Sequence, residues 1–163
     1  RDRAAGLRRA MIAGLRPATV ADATRVAALV DRCYGHYVAR IGQKPYPMTV
    51  DYAEALEQMR GYVVERDRRI VGLLLLEEVR DHMMVENVAV DPGQQGSGMG
   101  RQLMELAETE ALARGIVELR LYTHQMMTEN QAIYRRLGYV EYDRRIEHGL
   151  ARVYMRKELS RRR

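Results

Sequence analysis

The chain has 163 residues, of which 47% are hydrophobic and 30% charged, and its formal net charge is +5. This length and composition predict one globular domain with a single core, and argue against a two-domain enzyme or a disordered chain. The longest apolar run, residues 70–76, has the length of a strand and is too short to cross a membrane.

The positive charge lies at the two ends of the chain. Residues 1–10 carry a charge of +3 and residues 161–163 another +3, so the body between them is close to neutral. This distribution argues against nucleic-acid binding. We interpret residues 1–13 as a tag remnant or disordered extension, with Met11 as the natural start, and residues 161–163 as a basic tail. Residues 14–160 then form the single domain.

The single cysteine, Cys33, excludes an internal disulfide and is typical of a reducing compartment. We expect it to pack rather than to react, since burial is the common fate of a lone cysteine. The sequence shows no secretory signal, and we expect a cytoplasmic protein.

The first third of the chain predicts a short strand and two helices. The strand ends near Pro17, and Thr19 or Asp22 can cap the helix that follows. An apolar stripe from Val26 to Cys33 marks one face of this helix, which we extend to about Tyr37. Residues 42–49 contain two prolines and predict a rigid loop with neither helix nor central strand. A second helix is predicted from residue 50 or 51 to before Gly61.

Three strands follow. Residues 62–65 and 70–79 predict an antiparallel hairpin, and residues 82–90 predict the next strand. Strict alternation would place Met84, Glu86, Val88 and Val90 on one face of that strand. The remaining predicted elements are a helix from about 98 to 114, a strand over 116–122, a short helix over 129–137, and a hairpin of residues 139–145 and 150–157.

Residues 91–101 join a strand to a helix and contain four glycines within eight residues. Such a junction directs free backbone N–H groups at one spot, and the helix dipole adds partial positive charge there. The segment therefore predicts a site for a phosphate or pyrophosphate. An ordinary strand-to-helix turn is the alternative.

The element order and two motifs resemble the Gcn5-related N-acetyltransferase (GNAT) superfamily over nearly all of residues 15–158. Residues 95–100 (QGSGMG) match its glycine signature, Gln/Arg, any, any, Gly, any, Gly/Ala, after a strand ending Val-Ala-Val, and residues 134–139 (YRRLGY) match a downstream motif. The resemblance implies an α+β fold. Its mixed, mostly antiparallel sheet has about seven strands, is splayed at the cofactor site, and is flanked by about four helices.

The resemblance also implies acetyl-coenzyme A (acetyl-CoA) as co-substrate and no metal. The amides of residues 95–101 would hold the pyrophosphate. The backbone around Val88 and Val90 would pair with pantetheine, and the Val88 N–H would lie near the thioester carbonyl. The cofactor residues implied are Val88, Ala89, Val90, Gln95, Gly96, Ser97, Gly98, Met99, Gly100, Arg101 and Asn130.

Asn130 departs from the family pattern. The usual asparagine lies seven residues before the tyrosine, where this chain has Met127, whereas Asn130 precedes Tyr134 by four. That spacing keeps Asn130 on the helix face of Tyr134, where it could hold pantetheine. A helix N-cap is the alternative.

Two residues are the predicted catalytic groups. Tyr134 matches the family's tyrosine that protonates the departing thiolate, and a packed core aromatic is the alternative. Glu86 is the predicted base that takes the proton of the amine. This prediction depends on the position of Glu86 in the alternation of its strand as much as on alignment, since some family members carry the acid where this chain has Met84. An outward or salt-bridged Glu86 is the alternative.

The predicted function is direct transfer of an acetyl group from acetyl-CoA to the primary amine of a small molecule in a ternary complex. A protein or peptide acetyltransferase and a non-catalytic acyl-CoA sensor are the alternatives, and a homodimer is left open. The histidines lack metal-ligand spacing, and His124 either faces the acceptor or lies in a solvated loop.

Overall fold

The structure, a computed structural model, describes residues 12–160. The predicted start at Met11 and the predicted basic tail lie outside these residues. The helices and strands are β1 Leu15–Pro17, α1 Ala23–Tyr34, α2 Tyr37–Ile41, α3 Tyr52–Gln58, β2 Arg60–Arg66, β3 Arg69–Val79, β4 His82–Val90, α4 Met99–Ala113, β5 Glu118–His124, α5 Thr128–Arg136, β6 Val140–Glu147 and β7 Leu150–Glu158. Single 3-10 turns lie at Val20–Asp22, Tyr46–Thr49 and Pro92–Gln94.

The seven strands form one sheet in the order β1-β2-β3-β4-β5-β7-β6. Neighbouring strands are antiparallel except β4 and β5, which are parallel. This confirms the predicted mixed, mostly antiparallel sheet. No helix within residues 12–160 is long and apolar enough to span a bilayer.

The structure has five α-helices where the sequence predicts about four. The predicted first helix ends at Tyr34, and the short α2 begins at Tyr37. Gly35 lies at the break, where an added Cβ would come within 2.7 Å of the Asp31 carbonyl oxygen. The prediction that residues 42–49 contain no helix is wrong, since Tyr46–Thr49 form one 3-10 turn. Pro47 is compatible with this turn because it lies at the start, where a backbone N–H is not needed.

The sheet opens at its centre, between β4 and β5. The parallel pairing of these strands covers only Met83 with Leu119 and Met84 with Arg120. Beyond these pairs the strands separate, as the resemblance implies. The backbone of β4 after Met84 therefore borders a gap rather than a neighbouring strand.

A β-bulge at Glu86 interrupts the pairing of β3 with β4. Leu75 pairs with Asn87 and Leu76 pairs with Val85, so Glu86 is the extra residue on β4. A bulge of this kind reverses the alternation of side chains along a strand, and bulges are common beside active sites.

The bulge makes the predicted face of β4 wrong. Met83 and Val85 belong to the core on the α4 side of the sheet, and Val88 packs against that same core. Ala89 belongs to the other core, beneath α1 and α3. Met84 and Val88 therefore lie on opposite faces, because the extra residue shifts the alternation by one.

The sheet separates two apolar cores. The larger core includes Leu74, Leu103 and Leu121 and lies beneath α4. The smaller core lies beneath α1 and α3. Cys33 packs against it, and burial raises the pKa of its thiol to about 11, in agreement with the predicted packing role.

Candidate active site

The glycine-rich loop after β4 presents unpaired backbone donors. Gly96 and Gly98 have φ values of 83° and 82°, and a Cβ added at either would meet no atom within 4 Å. Among the described residues, the backbone N–H groups of Gly96, Gly98, Gly100 and Arg101 have no acceptor. Four donors at the N-terminus of a 15-residue helix form a site suited to a phosphate group.

The other predicted loop residues give this segment its shape. The Gln95 N–H donates to the Pro92 carbonyl at 3.4 Å, and the Ser97 hydroxyl donates to the Gln94 carbonyl at 2.6 Å. The Met99 N–H donates weakly to the Ser97 oxygen at 3.4 Å, and the Met99 side chain is buried in the core beneath α4. Gln95, Ser97 and Met99 therefore hold the loop in place, while the other four residues leave their N–H groups open.

The backbone of β4 forms an open edge beside the gap. The Asp91 N–H donates to the Val71 carbonyl at 2.8 Å. Because hydrogen-bonded pairs alternate along an antiparallel ladder, Ala89 also bonds to β3, whereas the backbone groups of Val88 and Val90 point away from β3. The Val90 carbonyl accepts from the Cys33 thiol at 3.2 Å and the Val88 carbonyl from the Tyr34 hydroxyl at 3.5 Å, so the open groups of this edge are the two N–H groups. Val88 and Val90 therefore present backbone donors to the gap, whereas the backbone and side chain of Ala89 both face away from it.

A cleft of about 560 Å³, part of it open to solvent, lies where β4 and β5 separate. The predicted residues Glu86, Val88, Asn130 and Tyr134 all line it. The separation of the strands therefore brings together the strand edge and carboxyl group of β4 with two side chains of α5. No group of three or more metal-binding side chains occurs within residues 12–160.

Glu86 lies partly buried in the wall of this cleft. The pKa of its carboxyl group is raised to about 7, first by loss of hydration and then by a hydrogen bond with, and the charge of, the neighbouring Glu77 carboxyl group, while Arg152 opposes the shift. Glu86 has no ion-pair partner within 4 Å in the described part of the chain. It is neither outward-facing nor salt-bridged, and it can exchange a proton near neutral pH.

Tyr134 lines the cleft from α5 and also packs against the core beneath α4. Burial raises the pKa of its phenol to about 12, so the hydroxyl keeps its proton at neutral pH. No described residue forms a hydrogen bond with that hydroxyl. A packed core aromatic and a proton donor are therefore compatible interpretations of Tyr134, because its ring packs against the core and its hydroxyl has no hydrogen-bond partner among the described residues.

Asn130 is the third residue of α5, one turn before Tyr134. The N-cap of the helix is Met127, so the capping alternative for Asn130 is excluded. The Asn130 amide lies 3.7 Å from the Met127 sulfur. Asn130 and Tyr134 thus lie on the cleft side of the same helix.

Arg152 is a cleft residue that the sequence does not predict. It lies on β7, its side chain is buried, and its guanidinium lies 4.1 Å from the ring centre of Tyr122 and 4.8 Å from that of Tyr46. All three residues line the cleft. The alternation of side chains along β7 is the sequence signal that could have found it, since it places Arg152 on the same face as Leu150 and Tyr154.

His124 also lines the cleft, which favours the first of its two predicted positions. Burial lowers the pKa of its imidazole, and its Nδ1 accepts a hydrogen bond from the Met126 N–H at 3.0 Å. The ring is therefore a neutral group in this wall at physiological pH.

A buried hydrogen-bond chain links β4 to the loop before α3. The Tyr34 hydroxyl donates to the Asn87 side-chain oxygen at 3.1 Å, and the Asn87 amide donates to the Tyr52 hydroxyl at 3.1 Å. Tyr52 in turn donates to the Pro47 carbonyl at 2.6 Å. This chain fixes the loop that carries Tyr46 against the strand that carries Glu86.

Two solved structures share the fold of this chain. An N-acetyltransferase (PaiA) from Thermoplasma acidophilum, in complex with coenzyme A, superposes with a TM-score of 0.74 at 16% identity, over 88% of this chain and 97% of that one. The ribosomal-protein-S18-alanine N-acetyltransferase of Escherichia coli gives 0.72 at 20% identity, over 91% and 94%. At these identities the likeness shows the fold.

The family profile described as "Acetyltransferase (GNAT) domain" matches residues 57–141, just over half of the sequence. The chain belongs to this family. A mycothiol acetyltransferase of Rhodococcus jostii is 36% identical over 81 residues, which are 48% of this chain and 25% of the relative. The [ribosomal protein bS18]-alanine N-acetyltransferase of Salmonella typhimurium is 35% identical over 75 residues, 46% of this chain and 51% of the relative. The matches thus span a quarter to a half of these curated relatives.

Proposed function

We propose that this protein is an acetyl-CoA-dependent N-acetyltransferase that moves the acetyl group directly to a primary amine of a small molecule. One observation carries the proposal: the strand that ends at the amide-lined loop, β4, also places Glu86 and Val88 in the cleft that Tyr134 lines from α5. Family membership and the coenzyme A complex of a structural relative support it.

The described residues fit acetyl-CoA. The free N–H groups of Gly96, Gly98, Gly100 and Arg101 suit a pyrophosphate, and the absence of side chains at the glycines leaves room for close approach. The N–H groups of Val88 and Val90 suit the amide carbonyls of pantetheine, which can accept hydrogen bonds from this strand edge. When bound, acetyl-CoA supplies an acetyl group activated as a thioester.

Glu86 is the proposed general base. An ammonium group has no lone pair, so an acceptor amine must lose a proton before it can attack a thioester. With a pKa of about 7, the Glu86 carboxyl is partly ionised at neutral pH and can accept that proton directly or through water.

Tyr134 is the proposed general acid. Its phenol remains protonated at neutral pH and can donate to the departing thiolate. The Val88 N–H is directed into the gap and can stabilise negative charge on the carbonyl oxygen under attack. A base and an acid from different elements make direct transfer in a ternary complex feasible without a covalent enzyme intermediate.

The enclosure of the cleft favours a small acceptor, since Tyr46, Tyr122 and Arg152 pack together in its wall. The curated relatives differ in the acceptor that their names give, one being mycothiol-related and the other an alanine of a ribosomal protein. A peptide acceptor is therefore the rival that the test must include.

The test is an acetyl-transfer assay with a panel of small primary amines and one peptide that begins with alanine. Free thiol release and product mass are followed together. We expect transfer to small amines, with a loss of roughly 100-fold or more in Glu86→Gln and Tyr134→Phe. Transfer to the peptide alone would refute the small-molecule assignment. Binding of acetyl-CoA without transfer to any acceptor would refute the enzyme assignment in favour of a sensor.

A further inference from the structure

We propose that the acceptor amine carries a carboxylate group, and that Arg152 binds this carboxylate while the amine is presented to Glu86. This inference rests on the proposed acetyltransferase function and names the chemical class of its acceptor. It assigns a specificity-determining role to a residue that neither of the two motifs contains.

The guanidinium of Arg152 has an unused donor. Arg152 is only 6% exposed, and its Nη1 donates to a Glu147 carboxylate oxygen at 2.8 Å. The Tyr154 hydroxyl also interacts with the group. Nη2, however, is buried and has no hydrogen-bond partner among the described residues. A buried charged donor without an acceptor is costly, and in native structures it calls for a ligand or another specific cause.

The unused donor belongs to the same cleft as the proposed base. Arg152 and Glu86 both line the cleft, and the charge of Arg152 acts on the Glu86 carboxyl. A ligand bound between them would contact a cation at one end and a proton acceptor at the other. An amine that bears a carboxylate has these two groups, whereas a simple alkylamine leaves Nη2 without a partner.

Aromatic rings enclose the guanidinium and limit access to it. Tyr122 belongs to β5, but Tyr46 belongs to the 3-10 turn before α3 and stacks on His148 at 5.9 Å. Because Nη2 is inaccessible to water, an acceptor carboxylate must displace a neighbouring ring. Tyr46 is partly exposed and its ring can rotate while the backbone of its loop stays fixed, so we assign the displacement to the Tyr46 ring.

The transfer balances with the carboxylate as a spectator. The amine nitrogen forms a bond to the thioester carbonyl carbon, and the carbon–sulfur bond breaks. One proton of the ammonium form passes to Glu86 before the attack. After the attack the nitrogen loses a second proton, and this proton replaces the one that Tyr134 gives to the sulfur. The carboxylate keeps its charge throughout, so the contribution of Arg152 is to bind and orient the acceptor.

The experiment compares ω-amino acids with their amides as acceptors. Glycine, β-alanine and 4-aminobutanoate are each paired with the corresponding amide, with butylamine as a neutral reference, at equal concentrations of free amine. We expect kcat/KM to favour the best carboxylate over its amide by roughly 10- to 100-fold, the range of a hydrogen bond to a charged group. In Arg152→Gln this ratio should fall to about one, mainly through KM. Arg152→Lys should give an intermediate ratio, because lysine keeps the charge and loses the planar fork.

Arg145→Gln is the matched control. Arg145 shares the Glu147 carboxylate with Arg152, but it is half exposed and does not line the cleft. Its loss should leave the carboxylate-to-amide ratio unchanged. Unfolding temperature and acetyl-CoA binding of each variant establish that it is folded.

Three outcomes would overturn the inference. The wild-type protein could acetylate the amides or butylamine as well as the carboxylates. Arg152→Gln could reduce transfer to both members of each pair equally and shift the pH profile, which would make Arg152 a positioning residue for Glu86. Arg145→Gln could change the ratio as much as Arg152→Gln does. Absence of transfer to every amine would instead remove the proposed function itself.

Discussion

The partly buried carboxyl group of Glu86 should destabilise the protein at alkaline pH. Its pKa is raised from an ordinary value of 4.5 to about 7, so between these values the folded state binds more protons than the unfolded state and stability falls as pH rises. The full difference corresponds to about 3 kcal/mol in the free energy of unfolding, of which roughly 1 kcal/mol is already lost at pH 5. Between pH 5 and pH 8.5 the wild-type protein should therefore lose about 2 kcal/mol through this group.

Glu86→Gln removes the titration and should remove this loss. The measurement is urea unfolding of both proteins at pH 5 and pH 8.5, without ligand. The difference between the two proteins isolates Glu86 together with its interaction with Glu77, since the remaining groups titrate in both. Glu57→Gln, on the exposed side of α3, should follow the wild type. If wild type and Glu86→Gln show the same change in unfolding free energy between the two pH values, the carboxyl group is not desolvated as described and its proposed role as base loses its support.

The same carboxyl group sets a pH dependence of activity, with kcat/KM rising through about pH 7 as Glu86 ionises and this limb absent from pH profiles of Glu86→Gln. Tyr134→Phe should lower kcat by roughly 100-fold and leave the affinity for acetyl-CoA unchanged. The control Tyr139→Phe removes a buried hydroxyl without a described partner, so it should keep kcat and raise the unfolding temperature. Equal kcat in the two variants would contradict the acid assignment. Gly98→Val and Gly115→Val impose similar strain, since both glycines have positive φ and open surroundings, and calorimetry should show weaker acetyl-CoA binding for Gly98→Val only.

Local sequence signals predicted the strand and the glycine-rich turn on which the proposed cofactor site lies. The bounds of β4 agree with the predicted residues 82–90, and the positive φ of Gly96 and Gly98 is what a glycine-rich turn requires. These features depend on residues adjacent in the chain, so they can be predicted from the local sequence. The assignments of catalytic and cofactor roles remain predictions.

The bulge at Glu86 and the burial of Arg152 depend on distant contacts and were not predicted. Alternation along β4 gives no warning of an extra residue, because the bulge exists only in the pairing with β3. An arginine in a strand usually indicates a solvated face. Arg152 is instead enclosed by a ring from a loop about a hundred positions earlier in the chain, and no local pattern reports such a contact.

The centre of the sheet is held by two residue pairs between β4 and β5, and this has a thermodynamic consequence. A ligand that occupies the edge of β4 would supply hydrogen bonds where a neighbouring strand is missing, and would act as part of the fold. Such a ligand raises the free energy of unfolding with its own concentration, by about 2.7 kcal/mol at one hundred times its dissociation constant. The two halves of the sheet would then be joined most firmly at high acetyl-CoA concentration. The folded fraction of this protein would therefore rise with the concentration of its own co-substrate.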